Sequence, residues 1–80
     1  MGWTIYILKC ADNSYYTGIT TNIARRIKEH NNKKGAKSLF GKLPAILVYK
    51  EKATNQVEAA KREREIKGWK HSKKEALVNK

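Results

Sequence analysis

The sequence predicts an α+β domain, a small three-stranded antiparallel sheet flanked by helices in the order ββαβαα. Three observations lead there. Two runs rich in β-branched and aromatic residues, Trp3 to Lys9 and Tyr15 to Thr20, stand on either side of the turn cluster Ala11-Asp12-Asn13-Ser14. Two later stretches carry apolar residues at helical spacing behind residues suited to helix caps. The chain has 80 residues, room for one domain over 1–80 with one modest core, because a chain of this size buries only about 60% of the surface its unfolded form exposes.

Taken in order, Trp3, Ile5, Tyr6 and Ile7 mark the first strand, and Asp12 and Asn13 can bond nearby backbone donors to turn the chain. Tyr15 to Thr20 returns as the second strand of a hairpin. Thr20, Thr21 or Asn22 caps a helix running to about Asn32, with Ile23, Ile27 and His30 on one side. Lys33 to Lys42 is a basic loop punctuated by Gly35 and Gly41. The third strand is Ala45 to Lys50, entered through Pro44, the only proline. A long helix follows from about Asn55 to Trp69, with Asn55 and Glu58 spaced as a capping box. Gly68 breaks it, and Ser72-Lys73-Lys74-Glu75 resembles a second box opening a last helix.

Charge is the strongest compositional signal. Lys and Arg total 18 against 7 Asp and Glu, a formal net charge of +11. Such a balance concentrates polyanions and speeds their association, so nucleic acid is the expected partner. No apolar run approaches the ~20 residues that span a bilayer, so no membrane is expected, and the N-terminus shows no signal pattern. Cys10 is the only cysteine. It excludes an intramolecular disulfide, suits a reducing, cytoplasmic setting, and follows an apolar stretch where an inert side chain is expected.

Helix angles sharpen the outline. At about 100° per residue, Arg26 lies roughly 60° from Ile23, with His30 one turn further on, whereas Arg25 points about 160° away from Ile27 into solvent. On the long helix Glu63 falls about 40° from Ala59 and about 60° from Ile66, on the inward stripe. A carboxylate there needs a cation, because desolvating it alone is costly. Its bland partner is Lys67, one turn on. Tyr6 and Tyr16 sit ten positions apart on the hairpin, and Gly18, lacking a side chain, would let a phosphate or a metal approach the backbone.

These residues resemble the GIY-YIG nuclease family. Thr4-Ile5-Tyr6 is similar to its first strand motif, with Thr in place of the Gly, and Tyr16-Thr17-Gly18 to its second. The run from Gly18 to His30 has the family's spacing of Arg and His, and Ala59-Ala60-Lys61-Arg62-Glu63 followed by Ile66-Lys67-Gly68-Trp69 resembles its Glu-bearing helix. The likeness covers about Trp3 to Val78. It is nearest to small stand-alone bacterial members and looser toward the first nuclease domain of the UvrC repair protein and the intron homing endonucleases. The family's late Asn has a counterpart only in Asn79.

The resemblance implies a metal-dependent endonuclease that hydrolyses phosphodiester bonds in DNA, with DNA repair as a setting. Glu63 would bind one divalent ion, Mg²⁺ or Mn²⁺, through oxygen. Tyr6, in preference to Tyr16, would take the proton of the attacking water, which requires nearby cations to lower a phenol pKa near 10. Arg26 would engage the phosphate through its fork of donors, and His30 would shuttle a proton or orient a tyrosine. Lys33, Lys34, Lys37 and Lys42, with Phe40 for stacking, and a second patch of Lys70, Lys73 and Lys74 would grip phosphates without reading bases. Selectivity would then come from substrate structure or from a protein partner. The alternative is a nucleic-acid binding module on the same scaffold that turns over little or nothing.

Overall fold

The computed structural model describes residues 2–32 and 41–79. Its elements are β1 (Trp3–Lys9), β2 (Tyr15–Thr20), α1 (Ile23–Asn31), β3 (Ile46–Ala53), α2 (Gln56–Lys67) and α3 (His71–Val78), the order ββαβαα. The strands form one antiparallel sheet in the spatial order β2-β1-β3.

β1 is central and is covered on both faces, which explains its unbroken apolar run Ile5-Tyr6-Ile7-Leu8, all four side chains fully buried. Because alternate residues of a strand point to opposite faces, the core divides in two. Tyr6, Leu8, Cys10 and Ala45 pack with Ile23 and Ile27 of α1 on one face. Ile5 and Ile7 pack with Ala59 and Ile66 of α2, and with Leu77 and Val78 of α3, on the other. Cys10 is buried in the first cluster.

The hairpin turn forms as the residues dictate. Asp12 Oδ1 accepts the backbone N–H of Ser14 at 3.0 Å, and Asn13 takes the left-handed conformation at φ 70°, which Asn tolerates better than most residues. Asn22 caps α1, its side chain accepting the N–H of Arg25 at 3.1 Å. Asn55 caps α2 in the same way through the N–H of Glu58 at 2.9 Å. The Glu58 carboxylate turns to Lys61, at 3.8 Å.

β3 and the start of α3 differ most from the sequence reading. β3 runs to Ala53, beyond Lys50, because Glu51 and Lys52 continue the ladder opposite Ile5 and Thr4. The register shifts between Ile7 and Leu8, whose partners are Tyr49 and Leu47, so Val48 is the extra residue of a β-bulge. α3 starts at His71, capped by Lys70 without a side-chain bond, so Ser72 lies inside the helix. The start is held by tertiary contacts instead. The His71 ring stacks on Tyr15, centroids 4.6 Å apart, and its Nε2 lies 3.3 Å from the Asn13 carbonyl oxygen in the hairpin turn.

Candidate active site

β1 places Tyr6 opposite Gly18 on β2, and the phenol ring leans over that glycine. A Cβ built on Gly18 would stand 2.5 Å from Tyr6 Oη and 2.6 Å from Cζ. The space the glycine leaves, expected from the sequence to admit a phosphate or metal, is therefore taken by the tyrosine itself. Gly18 sets where the Tyr6 hydroxyl sits.

That hydroxyl meets α1. Tyr6 Oη and His30 Nε2 are 2.9 Å apart, both groups buried. Tyr16 completes an aromatic corner, its ring centroid 6.3 Å from that of Tyr6 and 5.2 Å from that of His30 in an edge-on arrangement. Arg26, one turn before His30, sets its guanidinium beside the Tyr6 hydroxyl, where its charge acts on the phenol, and pairs with Glu29 at 3.3 Å. Arg25 is exposed. Four of the five residues singled out from sequence thus converge, with the two adjacent arginines separated as the helix angles require.

The electrostatics have clear causes. Burial, only partly offset by the neighbouring Arg26 guanidinium, pushes the Tyr6 phenol up to about 12. Burial, with the Arg26 charge second, holds His30 below the usual imidazole value. At neutral pH the resting pair is therefore a phenol beside a neutral imidazole. In the tautomer with Nε2 unprotonated the Tyr6 O–H donates to it, with the Arg26 charge beside the phenol. This differs from the lowered phenol pKa that the sequence reading required of a base, because the ring lies too deep for one guanidinium to outweigh desolvation.

Glu63 comes from α2. Its side chain is 23% exposed, and its carboxylate lies 3.5 Å from Lys67 Nζ one turn on, the bland pairing foreseen from the sequence. Its charge also reaches Tyr6, as the smallest of the five influences on that phenol. Among the described residues no group of three or more His, Cys, Asp or Glu converges on a metal position. A single accessible carboxylate nevertheless fits Mg²⁺, which keeps most of its waters and binds through one or two carboxylates together with substrate phosphates.

The basic patches have different places. Lys33, Lys34, Lys37 and Phe40 lie outside the described residues. Lys42 is half-exposed, 3.8 Å from Asp12. Lys70, Lys73 and Lys74 belong to the start of α3, which packs on the sheet face opposite Tyr6. Lys73 Nζ there sits 4.3 Å from the Trp69 ring centroid, with Arg62 5.1 Å from the same ring. Asn79, the C-cap of α3, stands at the end of that helix.

Sequence reasoning missed Asn31 and the lysines of β3. Asn31 clamps the chain entering β3: its Oδ1 accepts the Ala45 N–H at 2.9 Å and its Nδ2 donates to the Ala45 carbonyl at 3.1 Å. Lys50 pairs opposite Tyr6 and Lys52 opposite Thr4. The alternation Lys50-Glu51-Lys52 was the available signal, but assigning its faces requires the bulge at Val48.

This fold and site define a class, and the comparisons agree with it. The model of the GIY-YIG catalytic domain matches residues 2–76, and the chain belongs to that family. It is similar to a UPF0213 protein of Desulfotalea psychrophila, 51% identical over 95% of this chain and 70% of the relative. A UPF0213 protein of Staphylococcus haemolyticus is 46% identical over 92% of this chain and 90% of its own length. Among solved structures, the solution NMR structure of a UPF0213 protein from Bacillus halodurans is 44% identical with a TM-score of 0.63, covering 99% of this chain and 84% of that one. A protein of E. faecalis, also solved by NMR, is 36% identical with a TM-score of 0.68 at the same coverage. No helix among the described residues is long and apolar enough to cross a membrane.

Proposed function

We propose that this protein is an endonuclease that hydrolyses phosphodiester bonds in DNA with one divalent ion, Mg²⁺ or Mn²⁺. The observation that carries the reading is the 2.9 Å contact between Tyr6 Oη and His30 Nε2, made beside the Arg26 guanidinium. A phenol buried among apolar side chains for packing alone has no need of an imidazole acceptor at its hydroxyl with a guanidinium beside it.

Arg26 binds the non-bridging oxygens of the scissile phosphate and stabilises the charge that grows on them. The attacking water gives its proton to Tyr6 Oη as the phenol passes its own proton to His30 Nε2. No free phenolate accumulates, which suits a group pushed up to about 12. Tyr16 packs edge-on against His30 and fixes the ring that accepts the proton. Glu63 would hold the divalent ion, which when bound polarises the phosphate and stabilises the leaving oxygen. Lys67 then gives up its hold on that carboxylate. Lys33, Lys34, Lys37 and Lys42 in the basic loop, with Lys70, Lys73 and Lys74, bind flanking phosphates, and selectivity comes from substrate structure or a protein partner. The lone buried Cys10 suits a cytoplasmic setting, and DNA repair is the role such a nuclease fits.

A second reading, a binding module with little turnover, has its own support in the high Tyr6 pKa and in the Glu63–Lys67 pair. Incubating purified protein with labelled duplex, branched and single-stranded DNA, and with RNA, with and without Mg²⁺ or Mn²⁺, separates the two. Metal-dependent cleavage of DNA supports the nuclease. Salt-sensitive binding without cleavage of any substrate supports the module.

A further inference from the structure

Among the described residues, the face of the sheet that carries Tyr6 is only partly covered. Its apolar packing with α1 runs through Leu8, Leu47, Tyr16, Ile23 and Ile27 and ends at Tyr6. Beyond that point the register lays two rows across the strands, Gly18–Tyr6–Lys50 and Thr20–Thr4–Lys52. Paired residues of antiparallel strands share a face, so both lysines stand on the Tyr6 side.

The neighbours of these lysines confirm that parity. Tyr49 packs on the opposite face with Ile5 and Ile7, and Glu51 turns the same way, accepting from the Tyr49 hydroxyl at 3.0 Å and from Arg62 of α2 at 3.1 Å. The one acidic residue of the Lys50-Glu51-Lys52 run is thus removed from the Tyr6 face and neutralised behind the sheet. Lys50 and Lys52 are exposed and make no ion pair with any described residue, whereas Lys42, Lys61 and Lys67 each lie within 3.8 Å of a carboxylate.

From this juxtaposition we infer that Lys50 and Lys52 form a phosphate-contacting row, which holds the nucleic-acid backbone beside the Tyr6–Arg26 centre. The inference rests on the nuclease reading for what Tyr6 does and adds how the substrate is laid across the sheet. Two ammonium groups on alternate residues of one strand, about 6.7 Å apart along it, offer charge without a planar fork or an apolar anchor. They hold phosphates as point charges and position a strand without reading its bases. The competing use of lysine on an edge strand is to keep a second sheet from pairing there.

The test is fluorescence-anisotropy binding of a labelled random-sequence DNA duplex over a KCl series, with EDTA present to prevent cleavage. Four proteins are compared: wild type, K50Q/K52Q, K50R/K52R and K61Q/R64Q, the last removing the same two charges from the exposed side of α2. Circular dichroism and sedimentation monitor folding and self-association. Each phosphate contact contributes about −0.9 to the slope of log K against log salt, so K50Q/K52Q is expected to flatten the slope by about 1.8. K50R/K52R and K61Q/R64Q should keep the wild-type slope. A wild-type slope for K50Q/K52Q overturns the inference, and self-association of that variant at unchanged slope assigns the lysines to edge protection. Equal flattening by K61Q/R64Q also overturns it, as an effect of bulk charge. If the wild-type protein itself binds without salt dependence, the nuclease reading falls with it, an outcome distinct from the others.

Discussion

Replacing Gly18 with Ala tests the packing on which the site depends. A methyl group at this position would lie 2.5 Å from Tyr6 Oη, 2.6 Å from Cζ and 3.1 Å from Cε1, all inside van der Waals contact. The tyrosine has little room to give way, because its ring is buried and its hydroxyl is engaged by His30. Overpacking of a well-packed core costs about 1–3 kcal/mol, and breaking the buried hydrogen bond adds about 1–3 kcal/mol more. Against this, Ala is favoured over Gly in a strand interior by roughly 0.5–1 kcal/mol. The expected net loss is therefore about 1–5 kcal/mol. Tyr6→Leu removes the atoms that the methyl group meets. In that background Gly18→Ala should cost nothing or stabilise slightly, so the sign reverses. Urea denaturation of the four proteins of the cycle measures the coupling. A neutral Gly18→Ala in the wild-type background, or an equal loss in both, would show that the Tyr6 ring does not lie over Gly18.

Tyr6→Phe probes the raised phenol. The unfolded tyrosine ionises near 10.0 and the folded one near 12, so its contribution is complete below pH 10 and lost as pH rises to 12. Relative to Tyr6→Phe, wild type should lose on the order of 3 kcal/mol of stability across that window; parallel pH curves for the two proteins refute the assignment. For the arginines, Arg26→Ala should cut turnover a hundredfold or more, about 3 kcal/mol of transition-state stabilisation, while Arg25→Ala leaves it nearly intact. Equal losses in a single-turnover cleavage assay would contradict the separation seen on α1. His30 must be neutral to receive the Tyr6 proton, and its pKa lies below the ordinary 6.5. Activity should thus hold from neutrality down past pH 6.5 and fall only below it, and an acid limb above 6.5 in kcat/KM would exclude His30 as the acceptor.

Much of the scaffold was legible because local chemistry and tertiary packing agree. Asn55 caps α2 as expected, Asn22 is the one of the three candidates Thr20, Thr21 and Asn22 that caps α1, and Asp12 turns the hairpin through its own side chain. Helix angles placed Arg26 beside His30 at the edge of the packed face of α1, whereas their meeting with Tyr6 was implied only by the family resemblance. What stayed hidden depended on register or on distant contacts. Ser72 has the chemistry of a cap, yet α3 starts at His71, stacked on Tyr15 and preceded by Lys70 as cap, two residues earlier. The bulge at Val48 leaves no compositional mark, and without it the faces of Lys50 and Lys52 cannot be assigned. The occupant of the space over Gly18 was equally invisible, since a missing side chain does not say which group fills its place. The high pKa of Tyr6 comes from depth, a property of the folded packing that a residue type does not carry.

The most direct test of the nuclease reading is Mg²⁺-dependent cleavage by Glu63→Gln, with melting temperature and DNA binding measured on the same preparation. The substitution keeps the side-chain volume and removes the charge that would hold the ion. Among the described residues it breaks the part-exposed pair with Lys67, at 3.5 Å, a change of a few tenths of a kcal/mol. The variant is expected to fold and to bind DNA like wild type, because the phosphate grip lies in Arg26 and the lysines, while losing metal-dependent cleavage. A Glu63→Gln protein that cleaves at the wild-type rate in ordinary Mg²⁺ would contradict the account and leave Glu63 as the surface partner of Lys67.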